Sequence, residues 1–521
     1  MTFTYIIAAV ILLGLCIFVH ELGHLIGGKM VGIKAKVFSI GYGKGFLKKK
    51  IGETTYQITL IPFGGYCQFY GEDPKEERKG ESYEFLTSHP LKRVVVVVMG
   101  PVFNLLFGVL LFFMMNIIGY PTETNMVHIP KALSTGDYIS PAYKAGIRSN
   151  DQIIMINDKE INNFSDIQVG VIFSSGKPLN VKVKRDNKIH EFIVIPKKYT
   201  KNGHYTMGVM PYGERVLIVR TLENDVAFNA GLQQLDEVRL VDGKIIRNPE
   251  EFTTYIKNKA GKKILLNVIR GGEEIEVSIT PRLRELISIS KFQDMRFKDQ
   301  RFDISFDNLA LIKNAIKRKK VKINNSLVHS FKEFRNLLIN NIGKVIKIEN
   351  PGGIYNGIVK YEKNGFIGVE SAVSPKMIEV KYGVFGSFIK AFIEPYDFIS
   401  MNIRAMGMLF SGKLDVKENL RGPIAIGKIA GDVAYYKGVS AFIILMAKIS
   451  IILMVMNLLP IPVVDGSYIL FFLLEAIRGK PLSDKVMEKI QFVGIVLLII
   501  IGGLVIINDL ASLPFIQKIF Q

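Results

Sequence analysis

His20-Glu21-Leu22-Gly23-His24 sets two histidines four residues apart, one turn along the same face of a helix. That spacing lets both imidazoles reach one Zn²⁺, and Glu21 beside them can serve as general base toward a water molecule. The flanks, Tyr5–Val19 and Leu25–Gly28, are nearly all apolar. A His-Glu-His group inside such a stretch is costly unless it lines a wet cavity or binds metal. The competing reading is a hydrogen-bonded histidine pair. With 7 histidines in 521 residues, a chance match to this motif is rare. The implied chemistry is metal-assisted hydrolysis at membrane depth.

A catalytic zinc needs a third protein ligand and keeps one position open. The chain offers a candidate at Asn457-Leu458-Leu459-Pro460-Ile461-Pro462-Val463-Val464-Asp465-Gly466. Two prolines break a helix where an Asp follows. Irregular backbone at membrane depth is tolerated beside protein or water. Asp465 is therefore placed to meet a polar cavity and complete a two-His, one-carboxylate site. The alternative is a span that ends at the interface with a solvated Asp.

The elements that must position these groups are apolar spans. Four stretches have the length and scarcity of charge of transmembrane helices: Thr4–Gly28, Val94–Tyr120, Phe442–Leu459 and Phe492–Ile507. Lys448 is the one basic residue inside the third. The first reads as a retained span, since it lacks a charged n-region and a small-x-small cleavage site. Basic clusters (Lys48-Lys49-Lys50 and Lys92-Arg93) lie between the first two spans, and Arg478, Lys480, Lys485 and Lys489 between the last two. The positive-inside rule puts both short loops in the cytoplasm, and both termini and the long segment from Pro121 to about Ser440 outside.

Hydrophobic residues make up 49% of the chain and charged residues 22%, a mixture expected of spans joined to sizeable soluble parts. The net charge of +20 comes from Lys and Arg spread along the chain without a nucleic-acid motif. Anionic lipid headgroups account for it better than nucleic acid does. The two cysteines, Cys16 and Cys67, cannot build a disulfide framework or a Cys-based zinc site.

The long segment contains a repeat. Ala145-Gly146-Ile147, Asp151 and Ile153-Ile154-Met155-Ile156-Asn157 return as Ala230-Gly231-Leu232, Asp236 and Val238-Arg239-Leu240-Val241-Asp242-Gly243. Each copy runs on into a helix, a strand (Leu179–Val183, Ile264–Val268) and a turn (Asp186-Asn187, Gly271-Gly272). The pattern resembles two tandem PDZ domains, modules that bind extended peptides or peptide C-termini by adding a strand to a sheet edge. Two packing modules without ligand are the alternative. Leu286 to about Glu362 echoes the second half of the repeats, as a degenerate third unit or an insertion. Phe385–Phe410 reads as an amphipathic helix on the outer membrane surface, or else as a soluble packing helix.

His20-Glu21-x-x-His24 together with Asn457-x-x-Pro460-x-Pro462-x-x-Asp465-Gly466 resembles the site-2 proteases, intramembrane zinc metalloproteases. PDZ domains between the second and third spans make it similar to the bacterial regulator-of-sigma-E protease type. Ile61-Pro62-x-Gly64-Gly65-Tyr66 resembles that family's membrane-entering hairpin. Gly100-Pro101-x-x-Asn104, Gly422-Pro423-Ile424-Ala425-Ile426, Glu475, Arg478-Gly479-Lys480-Pro481 and Asn508-Asp509 resemble further family motifs. Val464 and Ser467 depart from the family's usual residues without removing a ligand, and its two-PDZ layout lacks a segment like Leu286–Glu362.

The resemblance implies an α-helical polytopic membrane protein: four transmembrane helices and a membrane-entering β-hairpin, with inserted α/β-type PDZ domains. The expected divisions are a core half at 1–122, PDZ domains at 123–200 and 205–283, and a divergent insertion at 284–380. An amphipathic helix and linker at 381–440 and a second core half at 441–521 follow. His20, His24 and Asp465 would hold Zn²⁺ and Glu21 would be the base. Asn457, Gly64, Gly65 and Tyr66 would bind substrate, a membrane protein with a single transmembrane helix. A span-terminal Asn457 and a hairpin that only seals the cavity are the alternatives. The expected place is the bacterial inner membrane, with the PDZ region outside and the site toward the cytoplasm. Competing functions are an inactive membrane PDZ scaffold or chaperone, and a transporter, which four spans without an inverted repeat argue against.

Overall fold

A computed structural model describes the chain except residues 1, 74–78, 130–138, 199–203, 292–315, 317–320, 351–352, 413–421, 482 and 512–521. Among the described residues, four helices are long and apolar enough to cross a membrane: Phe3–Val31, Pro90–Ile118, Pro423–Leu458 and Lys489–Leu510. The third starts well before the expected Phe442. A helix at Pro423–Asp432 passes through a π-helical turn, Val433–Lys437, into Gly438–Leu458. Its first turn is capped by the last span: the Gly422 and Ala425 N–H groups each donate to Asp509 at 3.0 Å. Two motifs far apart in sequence meet there.

The first two spans approach closely because small residues line the contact. A Cβ on Gly23 would lie 2.2 Å from the Met99 carbonyl oxygen, and one on Gly27 2.9 Å from Met99 Cβ. Between these spans, strands Ala35–Ile51 and Thr54–Phe69 form a hairpin that folds back on itself, so that Phe38 pairs with both Cys67 and Tyr56. Gly43 and Gly64, both at positive φ, sit where each strand bends.

The long segment leaves and re-enters the helical part on a two-stranded ribbon, Tyr120–Glu123 against Met377–Val380. The repeat copies carry matching cores and matching ion pairs. Arg185 clamps buried Asp151 through two bonds of 2.6 Å, and Arg270 clamps buried Asp236 through two of 2.7 Å. The Asp186-Asn187 and Gly271-Gly272 turns have positive φ at both residues, as tight hairpins require.

The second copy crosses the expected boundary at 283. Its sheet is completed by Val369–Ser374, which pairs with Arg215–Thr221, and Ile367 joins its core. The intervening residues build a separate five-stranded sheet with strands Arg282–Lys291, Lys322–Ile323, Ser326–Leu327, Val345–Asn350 and Gly353–Phe366, plus the helix Phe331–Ile339. They have their own core around Phe334, Leu338 and Ile346. This third unit is nested within the second copy, because its long last strand feeds directly into Val369–Ser374.

Helix Val384–Phe410 buries Ser387 and Ala391 and leaves Phe385 and Tyr396 exposed. It packs on the second and third spans. Phe388 meets Phe113 edge-on, and Asn116 Nδ2 lies 3.4 Å from Glu394 Oε2.

Candidate active site

His20 and His24 face the second span and the start of helix Asp465–Arg478. Asp465 Oδ2 lies 3.0 Å from His20 Nε2 and 3.6 Å from His24 Nε2, and the two Nε2 atoms are 3.1 Å apart. One ligand atom from each of the three residues falls within 4.8 Å of the others, a group that could hold one metal ion. Asp465 Oδ2 is buried and receives no well-directed hydrogen bond despite these close approaches. An orphaned carboxylate oxygen facing two imidazole nitrogens is costly alone and suited to a divalent cation with N and O ligands. The residues present therefore fit zinc.

The local sequence explains why Asp465 arrives there. Val463, a β-branched residue two positions before Asp465, sits at φ 84°, in a strained turn. Gly466 lets the helix start close against the end of the third span: a Cβ there would lie 2.1 Å from the Leu459 carbonyl oxygen. Asp465 also occupies the first helical turn, where the helix dipole favours negative charge.

The imidazoles are oriented by a shell that sequence reading left without a role. His24 Nδ1 lies 3.0 Å from the Val96 carbonyl oxygen on the second span. Donation there leaves Nε2 free to ligate. His20 Nδ1 lies 3.2 Å from the side-chain amide nitrogen of fully buried Asn104, and the Ser450 hydroxyl donates to the Asn104 main-chain carbonyl oxygen at 2.8 Å. An Asn amide can present either its NH₂ or its oxygen, so Asn104 can partner His20 Nδ1 in either tautomer. The signal was available: Gly100 and Asn104 share the four-residue spacing of His20 and His24.

Glu21 is held by the main-chain N–H of Cys67 on the hairpin, and a Cβ on Gly65 would lie 3.3 Å from Glu21 Cγ. Asn457 Nδ2 lies 3.3 Å from His20 Nε2, which puts this residue at the site. The three hairpin candidates divide. Gly65 sits against Glu21, whereas Gly64 abuts the Tyr42 ring and Tyr66 stacks on it, its hydroxyl accepting from Gln57.

Apolar spans around a His-His-Asp group with an adjacent carboxylate define a membrane-embedded metallopeptidase. The profile of Peptidase family M50 matches residues 8–501, and the chain belongs to that family. It is similar to Regulator of sigma-E protease RseP of Escherichia coli (strain K12), at 26% identity over 524 residues, 97% of this chain and 98% of that one. It is also similar to Regulator of sigma E protease of Salmonella typhi, at 25% over 527 residues, and to Protease RseP of Yersinia pestis, at 26% over 530. Each of those alignments covers 97% of this chain and 98% of the relative. The protein is thus a zinc-dependent intramembrane metalloprotease of the bacterial inner-membrane type.

Proposed function

We propose that the chain cuts the transmembrane helix of single-span membrane proteins after their outer parts have been trimmed, with His20, His24 and Asp465 as zinc ligands and Glu21 as base. The observation that carries this is the convergence of three ligand atoms beside a carboxylate inside the span bundle. Zinc bound there supplies Lewis acidity toward a scissile carbonyl and an attacking water. Glu21, steadied by the Cys67 N–H, takes the water's proton as the new C–O bond forms. It delivers a proton to the leaving amine as the C–N bond breaks. Asn457 is placed to donate a hydrogen bond to the substrate backbone. The basic residues in the two short loops, Lys48-Lys49-Lys50 and Lys92-Arg93 in one and Arg478, Lys480, Lys485 and Lys489 in the other, support a cytoplasm-facing site and an outer repeat region. The relatives' names support sigma-factor control as the setting.

The test is cleavage of a tagged, outer-trimmed single-span substrate by the purified full chain in lipid vesicles. Chelation should abolish cleavage and added zinc restore it. Cleavage indifferent to both would refute the metal mechanism.

A helix pairs all its amides internally, so it must unwind before it can be cut. The strand edge at Gly65–Cys67 beside Glu21 is suited to hold the unwound segment by strand addition. Gly65→Pro removes one edge N–H, and Gly65→Ala controls for the added Cβ. The proline variant should lose most cleavage relative to the alanine variant with zinc content unchanged. Equal activities would mean that the hairpin only seals the cavity.

The two repeat copies are PDZ domains in this reading, and the nested unit is a partial third. Their matched Asp–Arg clamps and helix–strand order support it. As peptide-binding outer domains they would exclude substrates with bulky outer parts. Removing residues 125–375, which leaves the ribbon Tyr120–Glu123/Met377–Val380 intact, should let untrimmed substrate be cut. Continued discrimination would exclude the filter.

A further inference from the structure

Helix Asp465–Arg478 carries the third ligand at its first residue, yet its most specific anchor lies near its other end. Arg93, buried at the start of the second span, donates from Nη2 to Glu475 Oε1 at 2.6 Å and from Nε to the Ser88 carbonyl oxygen at 3.0 Å. The two side chains are 5% and 14% exposed. The Arg93 guanidinium also lies 4.6 Å from the Phe472 ring centroid. Phe472 meets Phe85 edge-on, and Phe85 stacks on Phe69 at the base of the hairpin. Phe472 is seven residues beyond Asp465, two turns along nearly the same helix face. The opposite face, with Leu470, Leu473, Leu474 and Ile477, is exposed.

A helix tied to its neighbour on one face can still roll or slide on an apolar contact. A guanidinium that bonds Glu475 and the Ser88 carbonyl in fixed directions removes that freedom. Asp465 lies about 15 Å away along the same rigid rod. Its carboxylate approaches the imidazoles at 3.0 and 3.6 Å, distances that a small roll would spoil.

We propose that the Arg93–Glu475 ion pair is a positioning device that fixes the roll of helix Asp465–Arg478 and so sets how tightly His20, His24 and Asp465 hold their metal. The inference rests on the ligand assignment above, and its test separates the two. Removing one partner would strand a buried charge and endanger folding, whereas replacing both with apolar residues commonly leaves stability unchanged or raised. The decisive variant is therefore Arg93→Met with Glu475→Leu, beside the swapped pair Arg93→Glu with Glu475→Arg. Full-length protein in detergent would be titrated with a chelator to measure zinc retention. Its cobalt-substituted form would be examined for ligand-field absorption, which reports ligand geometry.

The apolar pair should keep the wild-type melting temperature, hold zinc about 10- to 100-fold less tightly, the range found for outer-shell partners, and shift the cobalt bands. The swapped pair should recover part of the loss. An apolar pair that is stable, retains zinc as wild type does and has unchanged cobalt bands would overturn the proposal. Asp465→Asn serves as the control. If it retained zinc like the wild type, the ligand assignment itself would have failed, not the positioning role.

Discussion

Glu21→Gln should abolish peptide hydrolysis while leaving the metal in place. Glutamine has nearly the same shape and can still accept the Cys67 N–H that holds Glu21, so the hairpin contact survives. It cannot take a proton from water at neutral pH. The residue is not one of the three groups whose ligand atoms converge, so zinc content should match the wild type. Loss of a positioned general base costs on the order of 10²- to 10⁴-fold. The measurement is cleavage of a trimmed single-span substrate co-expressed with either form, with zinc analysis of both purified proteins. Cleavage within a few-fold of wild type would remove Glu21 from the mechanism. Loss of zinc alongside activity would make it structural.

Gly100→Ala is expected to be nearly as damaging by a different route. A Cβ at this position would lie 2.4 Å from His24 Cε1, 2.5 Å from His24 Nε2 and 2.9 Å from His20 Cε1. Parting the helices to make room would give up the close packing of Gly23 and Gly27 against Met99 on the same face. The imidazoles would instead leave their positions, and His24 would lose its bond to Val96. The substitution itself favours helix by about 0.5–1 kcal/mol in a helix interior, so the fold should persist. We expect zinc binding to weaken by at least the 10- to 100-fold of a lost outer-shell contact, with cleavage falling in parallel. Wild-type zinc content in the alanine variant would show that the rings can move aside without losing the metal.

Both expectations come from residues whose weight was unequally visible. Glu21 is marked by its neighbours in sequence, and its type and spacing alone suggested its chemistry. Gly100 and Asn104 appeared as parts of a motif with no assigned task. Their purpose is to face the histidines from another helix, and a contact between helices leaves no mark in either helix taken alone. The same holds for Arg185 and Arg270. The buried Asp of each repeat was legible, but its partner lies 34 residues on, at the end of a strand. Val369–Ser374 is a sharper case. It pairs with Arg215–Thr221 across an inserted unit, so a reading that proceeds along the chain closes the second copy too early.

The sequence by itself determined the spans, the two-histidine motif, the tight turns and the existence of a repeat. Those features depend on local physics: runs of apolar residues, one-turn spacing and residues tolerant of positive φ. Only the tertiary structure decided that Asn457 stands beside His20 from 437 residues away, that Asp465 reaches the same histidines, and that Arg93 and Glu475 meet behind them. Such contacts are set by helix packing, where small residues permit close approach and a strained turn aims a carboxylate. Packing is a property of surfaces brought together by the whole fold, so it has no period that a single chain could display.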